Sequence, residues 1–194
     1  FIVNVGGGTE TTEKPEKGEK TEKAEAKSKA GLYIGSDNGP GTRTGLKALE
    51  DIEEVNIVCA PGQTDPVIQD AVLSHCENMR YRFAILDTPP GLNAQAAKEW
   101  REYINFDTSY AALYYPWLRV ADLSGSGSTT KLVPPSGYLA GIFNRSDANR
   151  GVHKAPANEV VRGALGLAVQ ITKEEQDILN PVGVNCIRAF PGRG

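Results

Sequence analysis

The stretch RSDANRGVHKAPANE places Arg145, Ser146, Asp147, Arg150, His153 and Lys154 within ten positions. Such residues could supply a base, an acid, a nucleophile and cations that hold an anionic intermediate. Ser146, Asp147 and His153 even match the members of a hydrolytic triad. A triad, however, needs three groups converging beside an oxyanion hole, and neighbours on one loop usually point apart. Gly151 and Pro156 mark the stretch as loop. The favoured reading is architectural: Arg145, Asp147, Arg150, His153 and Lys154 set intradomain or inter-subunit contacts through paired charges. Exposed pairs individually contribute only about 0 to 1 kcal/mol, so many copies of such a contact would be needed for it to matter.

Three other places could hold chemistry. Asp87 ends the apolar run FAIL, at the carboxyl end of an expected parallel strand, where open α/β sheets hold ligands. Capping of the DTPPG turn explains it equally well, and an α/β enzyme with a site near Asp87 is the alternative to a structural protein. The segment GSDNGPGTRTG suggests a phosphate loop, but Gly39, Gly41 and Gly45 give GxGxxxG, and Lys47 is followed by Ala48 where a phosphate loop needs a hydroxyl. Turns before a short helix are expected there instead. His75 adjoins Cys76 on an expected helix, which favours a packed or surface histidine over a catalytic pair. No catalytic, cofactor or metal residue is assigned.

These residues depend on a recognisable series of elements. Val55 to Ala60 is a short apolar run closed by Pro61-Gly62, and Asp65-Pro66 gives an N-cap followed by proline at the first helical position. Ile68, Ala71, Val72, Cys76 and Met79 then recur at helical spacing. A strand from Tyr81 to Leu86 and a helix from Asn93 to Ile104 complete a βαβ unit with a parallel pair. Ala111 to Val120 predicts a third strand, GSGSTT a flexible loop, and Ser136 to Asn144 a helix. Ala168 to Ile171 is a further strand candidate, Thr172 with Glu175 caps a helix through Leu179, and Gly183 to Ala189 is the last strand. The fold class is α/β: a three-layer sandwich with a mixed, partly parallel central sheet flanked by helices.

Composition limits the function classes. The chain has 194 residues, 40% hydrophobic and 23% charged, with a formal charge of −3. That suits a folded domain and leaves no basic footprint for nucleic acid. Cys59, Cys76 and Cys186 lie in apolar sequence at wide spacing, which suits buried free thiols in a reducing compartment better than disulfides or zinc. No apolar run approaches the roughly 20 residues of a membrane-spanning helix. Residues 9–30 are a Glu/Lys-rich linker or surface insertion: Thr9 to Lys29 holds six Glu and six Lys, and no residue there is more apolar than Ala. Residues 1–8 read as the strand remnant of a preceding segment, and 31–194 as the α/β domain.

Four segments in order, GLKALEDIEEVNIVCAPG, RFAILDTPPG, PPSGYLAGIFNRSDANRGVHKAPANE and LNPVGVNCIRAFPGRG, resemble the contractile tail sheath proteins of myophages and phage-tail-like particles. The likeness covers Gly31 to Gly194. It implies a structural subunit, without cofactor or turnover, that forms hexameric rings stacked helically around an inner tail tube protein. Contraction of such a sheath drives the tube through a target envelope. The expected partners are further copies of the chain, the inner tube, and baseplate and terminator proteins, with no nucleic acid bound directly and no membrane. The expected location is the virion tail or a phage-tail-like particle assembled in the bacterial host cytoplasm. The Glu/Lys insertion is not a family motif. Family members also continue beyond FPGRG and carry an N-terminal arm, so a central fragment is expected.

Overall fold

The computed structural model describes residues 2–4, 29–124 and 127–190. Most of the Glu/Lys-rich segment lies outside them; residues 29–34 are helical. Short, largely apolar runs build the central sheet from β1 (Ile2–Asn4), β2 (Ile57–Cys59), β3 (Phe83–Asp87), β4 (Ala111–Tyr115) and β8 (Val184–Cys186), in that spatial order. All four pairings are parallel. Val58, Ala84, Leu86, Leu113, Tyr115 and Val184 turn to one face, and Ile57, Cys59 and Ile85 to the other.

Both faces are apolar, so both must be covered. The first packs against α1 (Gly45–Ala48), α2 (Pro66–Met79), α3 (Ala94–Ile104) and α5 (Lys173–Leu179), through Leu46, Ile68, Val72, Cys76, Ala97 and Leu179. Across the sheet, α4 (Ser136–Arg150) lays Leu139, Ala140 and Ile142 over Ile57, Cys59 and Ile85. This is the three-layer α/β architecture. The helix starts follow their sequence signals. Asp65 accepts from the Val67 amide at 2.8 Å, Asn93 from the Ala96 amide at 2.8 Å, and Thr172 and Glu175 close a capping box. Each cap satisfies amides that the helix cannot, for about 1 kcal/mol.

The antiparallel pairing forms a second sheet, not an edge of the first. Its order is β6 (Thr130–Val133), β5 (Leu118–Ala121), β7 (Ala164–Leu167), around Leu118, Val120 and Leu167. Several expected boundaries move. The single strand over 111–120 is two, because Pro116, joined to Tyr115 by a cis peptide, interrupts the ladder where the chain leaves one sheet for the other. β6 begins at Thr130, the last residue of the expected GSGSTT loop. The strand placed at 168–171 lies at 164–167 and pairs with β5, since Leu167 is the residue that turns inward. The helix from Ser136 continues past Asn144 to Arg150, so Arg145, Asp147 and Arg150 stand on a helix and not in a loop. Buried Ser146 keeps the inward stripe of that helix running, and Gly151 at φ 88° ends it.

Candidate functional site

Asp87 is 2% exposed, at the carboxyl end of β3. Its Oδ2 accepts from the Gly62 amide at 3.0 Å and from Ser136 Oγ at 2.7 Å; its Oδ1 accepts from the Ser136 amide at 2.8 Å. Gln69 Nε2 donates to the Asp87 carbonyl at 2.7 Å. Burial pushes the carboxyl above its usual range, while the donors from Gly62 and Ser136 pull it down. The side chain thus joins the turn after β2, the end of β3 and the first turn of α4, whose dipole favours an anion there. With both oxygens committed to these bonds, Asp87 is placed to lock elements together, not to exchange protons with a substrate.

The 145–159 stretch divides in two. Arg145 donates from Nη2 to the Val160 carbonyl at 2.9 Å and lies 3.6 Å from Glu159. Lys154 reaches the same carboxylate at 3.1 Å and donates to the Ala155 carbonyl at 3.1 Å. The Lys154 hydrogen bond, with help from Arg145, holds the Glu159 carboxyl below its ordinary range. Arg145 and Lys154 therefore converge on a residue that the charge pattern did not single out, although it lies five positions beyond Lys154 in the same stretch. Asp147, Arg150 and His153 form no ion pair among the described residues, and Arg150 and His153 are exposed. Ser146 is 3% exposed on α4 while His153 lies beyond the helix end, so the triad grouping does not assemble.

Two further clusters were not legible in composition. Arg82 is 2% exposed, and its Nη2 donates to the Leu49 and Ile52 carbonyls at 2.8 and 2.7 Å. Its Nη1 lies 2.6 Å from His75 Nε2. A guanidinium only donates, so that nitrogen accepts and His75 is neutral, with its proton on Nδ1. Burial first, then the Arg82 charge, lowers the His75 pKa to about 4. The packed reading of His75 is the one the structure shows. In the GSDNGPGTRTG loop, Arg43 bridges Asp37 and Asp51, and Asp51 accepts from the Gly41 amide at 3.0 Å. These are turns leading into a helix of four residues. Cys59, Cys76 and Cys186 are free thiols, the first two buried.

The Asp87 and Arg82 clusters thus hold the fold's own elements in place. The model of the phage tail sheath protein central domain matches residues 35–194. The chain belongs to the phage tail sheath family. That family is structural, not enzymatic. Among its relatives, a Pseudomonas aeruginosa (strain UCBPP-PA14) protein described as a prophage major tail sheath protein is 29% identical over 170 residues, 84% of this chain and 40% of the relative. The tail sheath protein of Burkholderia phage BcepMu is 29% identical over 187 residues, 87% of this chain and 38% of the relative. The chain therefore spans well under half the length of these sheath proteins. Solved neighbours include the sheath complex of an extracellular contractile injection system, PVC, in the contracted state. It has TM-score 0.63 and 28% identity, covering 89% of this chain and 47% of that one. The helical sheath of the anti-feeding prophage in its contracted state has TM-score 0.60 and 28% identity, covering 75% and 38%.

Proposed function

We propose that this chain is the central part of a sheath subunit that polymerises as stacked hexameric rings around an inner tube and contracts to drive that tube through a target envelope. The observation that carries this reading is the family match across 35–194, the same residues that build most of the layered core. In this reading the subunit meets further copies of itself, the inner tube, and baseplate and terminator proteins. It works in a virion tail or phage-tail-like particle assembled in the host cytoplasm. Rigid-body sliding of subunits requires folded bodies that do not deform. The Asp87 junction and the buried Arg82 supply such internal bracing.

The five charged residues then take two roles. Arg145 and Lys154 secure the loop after α4 through Glu159, whereas Asp147, Arg150 and His153 face neighbouring subunits. Negative-stain electron microscopy of a polypeptide of the relatives' full length carrying this sequence, with and without its inner-tube protein, tests the whole reading. Long striated tubes are expected. Monodisperse monomers under all conditions would overturn it.

A further inference from the structure

A groove of about 490 Å³ opens beside α4, lined by Pro61, Pro134, Tyr138 and Ile142 together with Arg145 and Arg162. Gly137 and Gly141 also border it, and a Cβ at either would meet nothing within 4 Å among the described residues. Glycine is a weak helix former. Gly141 nevertheless stands inside a helix with no packing reason among the described residues. Arg162 is exposed and makes no ion pair among the described residues, while Arg145 shares Glu159 with Lys154. The groove is thus apolar with an excess of positive charge.

The complementary surface lies on the same chain. Residues 50–54, EDIEE, carry four carboxylates in five positions around Ile52, which is 41% exposed. Glu50 and Asp51 lean on Lys47 and Arg43, whereas Glu53 is exposed and has no ion pair among the described residues. This turn precedes the amino end of β2, and Pro61 follows the carboxyl end of the same strand. Leu49, beside the turn, packs in the layer of α1 and α2; the groove belongs to α4 across the sheet. The two surfaces therefore sit at opposite ends of one strand and in opposite layers, so the turn cannot fill its own groove. A contact between two such surfaces joins molecules head to tail and builds rings or helical filaments, where a two-fold contact would stop at a dimer.

We propose that the α4 groove receives the 50–54 turn of a second copy, with Ile52 entering the apolar part and Glu53 meeting Arg162. The proposal rests on the sheath reading above and names one of its contacts. The test compares polypeptides of the relatives' full length carrying the wild-type sequence, Gly141→Leu, Arg162→Glu, or Arg162→Glu with Glu53→Arg. Polymer is measured by sedimentation and electron microscopy, and folding by thermal melting. Gly141→Leu should keep the wild-type melting temperature or raise it and lose polymer at least about tenfold. Arg162→Glu should lose a similar amount, and the paired reversal should recover it. Wild-type levels of polymer in every variant would overturn the docking and leave the sheath reading standing. Loss in Arg162→Glu without recovery in the pair would remove the 50–54 turn as occupant, and with it the proposal. A wild-type chain that never polymerises would overturn both readings together.

Discussion

At the residue scale, two buried polar groups carry opposite titration behaviour. His75 is neutral when folded, with a pKa near 4 against 6.5 for the free side chain. A base whose pKa is lowered by folding stabilises the native state above the unfolded value and loses that contribution as pH falls toward the folded one. Urea midpoints should therefore drop between pH 6.5 and about 4. His75→Gln, which can still accept from Arg82 but cannot titrate, should flatten that slope. Asp87 is raised, so its burial opposes stability more as pH climbs through its folded pKa. Yet its carboxylate accepts three hydrogen bonds, from Gly62 and Ser136. An amide at this position turns an NH₂ toward donors. Asp87→Asn should cost about 1–3 kcal/mol in chemical denaturation, the penalty of an unsatisfied buried group. A catalytic Asp87 would instead show a wild-type melting curve in the same variant.

At the element scale, local signals were readable wherever one residue does one job. Asp65 with Pro66, Asn93, and Thr172 with Glu175 each announce a helix start, and each caps as its type demands. Tertiary choices were not readable. The Tyr-rich run around Pro116 has one composition but belongs to two sheets. The end of α4 was obscured because its inward stripe, Ser136, Leu139, Ala140 and Ser146, includes two hydroxyls that look like surface. Of the candidate residues, charge density pointed to Arg145 and Lys154, and the fold brings both to Glu159, a common partner that emerges only when the loop folds back. Glycine positions show the same contrast. A Cβ on Gly35 would sit 1.8 Å from the Thr44 carbonyl oxygen, at φ 75°. Gly35→Ala should cost more than about 1 kcal/mol in urea unfolding. Gly141→Ala, with open space around it among the described residues, should gain about 0.5–1 kcal/mol instead.

At the scale of the whole molecule, the proposed sheath reading gives bracing and assembly to different residues. Charge reversal at Arg150, which is exposed and makes no ion pair among the described residues, should leave the melting temperature unchanged and impair polymer formation or contraction. Sheaths that assemble and contract as wild type would sink its assignment to a subunit contact. The junction at Asp87 has a consequence for time rather than strength. It gathers Gly62, Asp87 and Ser136, and Ser136 is 49 positions from its partner along the chain. A loop that long is expected to close after β2, α2 and β3 have formed a unit from nearer contacts. The hydroxyl of Ser136 should therefore stabilise the finished molecule more than its folding transition state. In stopped-flow experiments Ser136→Ala should steepen escape from the native state, with unfolding several-fold faster and refolding almost unaltered. A single buried oxygen pair would then act as a latch that sets how long each body stays shut.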